Sequence, residues 1–385
     1  MRSCTDVPNT SIVFLRAGMD VPLQDGRITD TSRIDETRPT IDLLREKGCK
    51  IIVATSIGRP KGNDPSLSTK PVADHLAQFY PTRFVAKYQE VQAVLAAMQP
   101  GELLVPENLL FDAREKDGDD AYARELVAPV DCVVQDAYSK CHRSEASIVA
   151  ITKHKPAYAG LLLEKELRGM QPFLNPEHPF VAIIGGAKAD KLGTIRGLLT
   201  KLDAVLVGGV LANTFLKAAG FSVGESKVDE TGLEEAKALY DTGKIILPAD
   251  AVVADAFARD ASNRTLDIGG VAKGFILDIG PKTVERYSTY LFNARTVVWA
   301  GPIGVFEWES FAGGTRAIAA AVAEATGKGC KTLAAGGDSG AALVALGYKE
   351  RISHVSTGGG VTLELLEGKA LPGVVALEEN QQRFL

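Results

Sequence analysis

Short runs rich in valine and isoleucine alternate along this chain with segments whose apolar residues recur every three or four positions, and that alternation constrains the fold more than any other feature. Strands that read as continuous apolar runs are buried on both faces, which requires helices above and below a parallel sheet. The runs are Ser11–Leu15, Lys50–Ala54, Cys132–Gln135, Phe180–Ile184, Ala204–Val207, Lys244–Leu247, Thr296–Trp299, Lys331–Ala334 and His354–Ser356. Helical spacing runs through Arg38–Lys47, Tyr122–Val127, Leu192–Leu199, Leu233–Thr242 and Thr315–Thr326. Leu161–Met170 reads as a hinge helix, and the prolines of the following QPFLNPEHPF stop it, so a domain boundary falls there. At 385 residues the chain is long for one core and suits two.

Several function classes drop away. A net charge of -5 argues against a nucleic-acid partner, which needs a dominant basic face. The five cysteines are scattered and never in C-x-x-C spacing, so neither a disulfide framework nor a zinc knuckle is expected. No stretch approaches the roughly 18 apolar residues of a membrane span, and the first residues lack a signal peptide's apolar run, so a cytoplasmic protein with no membrane partner is expected. There is no P-loop pattern, no G-x-G-x-x-G, no G-x-S-x-G and no H-E-x-x-H.

What remains is a set of strand ends. In open α/β sheets ligands collect at the carboxyl ends of strands, where helix N-termini offer unpaired N–H groups. In the second half these ends read GGAKADK (185–191), GGVLAN (208–213), AGPIGVFE (300–307), GGDSGAA (336–342) and STGGGVTLE (356–364). Glycine lets backbone approach a bulky polyanion, so the five turns together read as a nucleotide cradle. Lys188 and Lys191 are placed to neutralise phosphate oxygens, and Asp338 has the hard-ligand chemistry for Mg²⁺ bound to phosphates.

These segments resemble the phosphoglycerate kinase family from near residue 11 to near residue 377, with PFVAIIGGAKADKLG, VVWAGPIGVFEWESFAGGT, AAGGDSGAA and ISHVSTGGGVTLELLEGKALPGVVAL in the family's order. The amino half matches through VPLQDGRITDTSRID, SIGRPKG, PENLLFD and VQDAYSKCHRSEAS. The resemblance implies an α/β chain of two Rossmann-like three-layer αβα lobes with parallel sheets joined by a hinge helix. It places a 3-phosphoglycerate-binding domain at 1–160 plus 372–385, the hinge helix and linker at 161–178 and a nucleotide-binding domain at 179–371. It further implies a monomer whose partners are 3-phosphoglycerate, 1,3-bisphosphoglycerate, ADP and ATP.

Carried across residue by residue, the resemblance gives Arg33 and Lys188, with the amides of Gly337 and Gly360, to the phosphoryl group in transfer. The acid substrate falls to Arg16, Gly18, Met19, Asp20, Arg33, Ser56, Ile57, Gly58, Arg59 and Arg143. The nucleotide falls to Lys188, Lys191, Gly208, Gly209, Gly280, Glu307, Gly336, Gly337, Asp338 and Ser339, with Asp338 on the metal. Arginine suits these roles, because its planar fork makes permanently charged, bidentate contacts to phosphate and carboxylate. The sequence departs from the family's pattern at Gly18 for Asp, Asp20 for Asn, Ser56 for His, Leu110 for Arg, Glu145 for His and Ala300 for Asn. Arg114 stands four residues beyond Leu110 as a candidate to compensate. The rival reading is a nucleotide-binding homologue that no longer catalyses and acts through a partner.

Overall fold

The computed structural model describes residues 1–186 and 191–384. These form two units, Met1–Arg168 with the C-terminal segment from Ala370, and Gly169–Lys369. Each is built on a six-stranded parallel sheet. In the first unit β1 (Ile12–Arg16), β2 (Lys50–Ala54), β3 (Thr82–Val85), β4 (Leu103–Pro106), β5 (Cys132–Gln135) and β6 (Ala157–Ala159) lie in the order β3-β4-β2-β1-β5-β6. In the second, β7 (Phe180–Ile184), β8 (Ala204–Val207), β9 (Ile245–Ile246), β13 (Thr296–Ala300), β14 (Lys331–Ala335) and β15 (His354–Ser356) lie in the order β9-β8-β7-β13-β14-β15. A three-stranded antiparallel sheet, β11-β10-β12, is added to the second unit by β10 (Asp250–Ala254), β11 (Asn263–Asp267) and β12 (Phe275–Ile279).

The period of two along each strand explains the three layers. In β7 and β13, Ala182, Ile184 and Val298 join Ile195, Leu198 and Phe215 in one cluster. Their neighbours Val181, Ile183, Val297 and Trp299 join Tyr287, Leu291, Ile318 and Val322 in the other. Alternate side chains leave opposite faces of a strand, so a strand apolar throughout needs a helical layer on each side. In the first unit Val13, Leu15, Ile51, Val53 and Val134 pack against Ile34, Ile41 and Leu44 of α1 (Ser32–Glu46).

Two helices differ from the sequence expectation. Helix α1 starts at Ser32 rather than Arg38 and carries Pro39 inside it, which places Arg33 in its first turn. Helix α2 (Leu161–Leu174) runs on past Met170 with Pro172 in its last turn, where the missing N–H forfeits a single bond. Among the described residues no helix is long and apolar enough to cross a membrane.

The chain finishes on the first unit through α8 (Pro372–Arg383). Asn380, buried in that helix, accepts from Ala157 N at 2.8 Å and Arg2 Nη2 at 2.7 Å while its amide nitrogen donates to Lys155 O at 2.8 Å. Removing the side chain strands buried backbone groups, each costing about 1–3 kcal/mol. Asn380→Ala is expected to lower the stability of this unit by roughly 2–4 kcal/mol in urea unfolding and to leave the Michaelis constant for nucleotide unchanged.

Candidate active site

In both sheets the order of the parallel strands reverses at a single point, and most candidate residues gather there. In the first unit the chain builds outward from β1 to β2 and then crosses to β5 on the other side, so the crevice lies between the ends of β1 and β5. The second unit has the same switch between β7 and β13.

At the first switch point Asp20 is a hub. Its carboxylate accepts from Gly58 N at 2.9 Å and lies 3.9 Å from Arg33 Nη1 and 3.5 Å from Lys140 Nζ, while its carbonyl accepts from Arg33 Nη1 at 2.6 Å. Gly58 has φ +68, which favours glycine. Gly18 passes over the β5 loop, where a Cβ would come within 3.3 Å of Ala137 Cα and Ser139 Oγ. Met19 is buried, its N–H bonded to Thr55 Oγ1 at 3.1 Å, and Ser56 and Ile57 are buried beside it. Arg59 and Arg143 are exposed and make no ion pair with described residues.

Arg16 differs from the expectation of a substrate contact. It is 0 % exposed, and its guanidinium is spent on Ser147 Oγ (2.6 Å), Ala17 O (2.7 Å), Ser56 Oγ (3.1 Å) and Glu145 Oε2 (3.4 Å). Ser147 in turn is held by Glu115, whose carboxyl is pushed up by burial against the pull of Arg16. Arg114 does not stand in for the absent arginine at Leu110. It is clamped by Asp112 (2.8 Å) and Glu125 (3.0 Å) and lies over the Tyr122 ring, and Leu110 itself is only 7 % exposed.

At the second switch point glycines let the loops interlock. Gly209, with φ +59, would press a Cβ to within 2.6 Å of Gly186 O. Gly336, with φ +94, begins α6 (Gly337–Ala345) and touches the backbone of Gly359, at the start of α7 (Gly360–Leu366). Two helix N-termini thus meet side by side, an arrangement that favours an anion. Ser339 is fully buried and accepts from Gly301 N at 2.7 Å, tying α6 to the β13 turn. Asp338 lies exposed in the first turn of α6, and Glu307 is exposed beyond β13.

Lys188 lies outside the described residues. Lys191 turns inward, donating to Gly185 O at 2.6 Å and Ala300 O at 2.9 Å, so it staples the two turns of the switch point. Gly208 packs against Ile303. Gly280 opens α4 (Pro281–Asn293) where a Cβ would strike Asp250, whose carboxylate caps that helix at Lys282 N and Thr283 N; packing alone explains this glycine. Gly209, Asn213, Leu216, Ile268, Leu277 and Ile303 line a narrow cleft. Asp278 borders it, nine-tenths buried, accepting from Gly314 N at 2.6 Å and Ile279 N at 2.9 Å. Sequence reasoning passed over Asp278 and Glu115; Asp278 was signalled by its place inside the apolar run FILDI, whereas Glu115 stands in the charged stretch AREKD and gave no signal.

Paired helix starts on one sheet and arginines at the switch point of the other suit a phosphotransferase. The phosphoglycerate kinase family model matches residues 5–369, and the chain belongs to that family. It is 46 % identical over 384 residues to the phosphoglycerate kinase of Chloroflexus aurantiacus, covering 96 % of each chain. It superposes on the structure of the Coxiella burnetii enzyme with TM-score 0.82 at 34 % identity over 99 % of both chains, and on that of Pyrococcus horikoshii with TM-score 0.87 at 29 % over 100 %. These relatives all carry the enzyme's name, which does not favour a non-catalytic homologue.

Burial raises Asp136 to about 6 and Asp278 to about 7, outweighing their backbone donors. In the unfolded chain both ionise near 3.8, so the folded state holds their protons more tightly and loses stability as pH rises from about 4 to about 7. At roughly 1.4 kcal/mol per pKa unit, Asp278→Asn is expected to remove a few kcal/mol of that pH dependence. Thermal unfolding of wild type and variant at pH 5 and pH 8 checks this: the wild type should lose more between the two than the variant does.

Proposed function

We propose that this chain transfers the acyl phosphate of 1,3-bisphosphoglycerate reversibly to ADP, giving 3-phosphoglycerate and ATP in glycolysis. One observation carries the assignment: a cationic strand-end cluster and a glycine-walled pair of helix starts occupy equivalent switch points of two linked sheets. Phosphoryl transfer needs little covalent help, and positioning with charge neutralisation does most of the work. Arg33, in the first turn of α1, faces the transferring oxygens, and Arg59 and Arg143 hold the phosphate end of the acid. The amides of Gly337, Ser339 and Gly360 receive the nucleotide phosphates, Glu307 the ribose, and the surface beside Gly208 and Gly209 the base. Lys188 neutralises the group in flight, while Lys191 serves by fixing the turns.

Mg²⁺ suits this site. Among the described residues no cluster of three metal-ligating side chains exists, and the exposed Asp338 carboxylate at a helix start provides a single hard ligand. That donor set matches an ion brought in on phosphates rather than one caged by protein, and when bound it supplies neutralisation of phosphate charge. The enzyme works as a cytoplasmic monomer, and closure about the hinge helix α2 brings acid and nucleotide together.

A coupled assay of 3-phosphoglycerate with MgATP, and of the reverse pair, tests the assignment; no turnover in either direction by protein that binds MgADP would sink it. Arg33→Ala is expected to lower kcat by roughly 100-fold or more while the Michaelis constant for ATP stays within about threefold.

A further inference from the structure

The cations at the first switch point are mostly spoken for. Asp20 engages Arg33 and Lys140, and Arg16 is engaged by Glu145. Glu145 is only 8 % exposed and stands on the β5 loop two residues from Arg143; through Arg16 it is linked to Ser56, in the loop that carries Arg59. A carboxylate this close to a guanidinium cancels most of its field, and in a buried setting screening by solvent does little to soften that effect. Resting on the assignment above, we propose that Glu145 is a specificity-determining residue: it cancels Arg16 at the floor of the acid site and holds down affinity for an anionic substrate.

The geometry separates this role from a purely structural one. Arg16 keeps Ser147 Oγ, Ala17 O and Ser56 Oγ as hydrogen-bond partners whether or not Glu145 is charged, so the β1, β2 and β5 loops stay joined through it. What Glu145 adds is charge. Without that charge the buried guanidinium is balanced by Glu115 alone, whose ionised form burial disfavours, and an incoming anion makes up the deficit. The cost of an under-compensated buried cation therefore converts into affinity for the acid substrate, with nothing changed at the nucleotide turns of the other unit. Glu145 thus selects against the most highly charged acids, leaving Arg59 and Arg143 to read the phosphate.

Calorimetric binding of 3-phosphoglycerate to the full chain, with Glu145→Gln and Glu145→Asp beside the wild type, tests this. Glu145→Gln, which keeps the shape and removes the charge, is expected to bind the acid roughly tenfold more tightly, with a larger rise in unfolding temperature on adding the acid. Glu145→Asp, which keeps the charge, should stay close to the wild type, and affinity for MgADP should be the same in all three. Unchanged or weaker acid binding by Glu145→Gln overturns the proposal, as does tighter binding by both variants alike or no binding by any of the three. Failure of the assigned reaction shows differently, as absent turnover in proteins that still bind the acid.

Discussion

The rest of this molecule follows from the covering of both faces of each parallel sheet. Once helices occupy both faces, the carboxyl ends of the strands are where polar chemistry can gather, and the switch points between β1 and β5 and between β7 and β13 are the places where loops diverge enough to leave a crevice. The loops there are crowded. Gly209 over Gly186 and Gly336 against Gly359 are approaches a side chain would block, so these glycines serve the packing of loop on loop as well as the approach of a ligand.

On the proposed assignment the two units bind anions by different means. In the second, fixed dipoles carry the load: helix starts at Gly337 and Gly360 present amides with no conformational entropy to lose. In the first, flexible cations are disciplined by carboxylates. Asp20 takes Arg33 and Lys140, Glu145 takes Arg16, and Arg59 and Arg143 stay exposed. A site read by amides tolerates variation in the base that the phosphates carry. One read by balanced charge is sensitive to every carboxylate added or removed.

Much of this was legible before any coordinates. Strands such as Lys50–Ala54, Cys132–Gln135 and Phe180–Ile184 are apolar but for Lys50 and Gln135 at their ends, and their limits match the expected positions. Thr82–Val85, with an arginine in its middle, and the exposed Asn263–Asp267 lack that signature, because an edge or antiparallel strand needs only one buried face. The start of α1 was hidden by Pro39, which reads as a first-turn residue yet sits mid-helix. Of the site, glycine positions and arginine identities were visible, but side-chain direction was not. Arg16 and Lys191 both turn inward to hold loops, and nothing local in their sequence distinguishes a cation that binds ligand from one that binds carbonyls.

The β5 loop unites these themes, because it carries both the charge balance of the acid site and the anchor of α2. Asp136 at its start accepts from Leu163 N at 3.0 Å in the first turn of α2, and Gly160 is glycine because a Cβ would overlap that carboxylate. Thr40 of α1 bonds to Asp136 and accepts from Leu161 N at 3.0 Å, so the helix that presents Arg33 and the helix that leads out of the unit are pinned at one buried carboxylate. Nine residues later the same loop supplies Glu145 to Arg16. A displacement of this loop by ligand must therefore be matched by α1 and α2 together, since buried polar groups do not give up partners without cost. The charge balance around Arg16 and the start of the connecting helix are in this way built from one short run of chain.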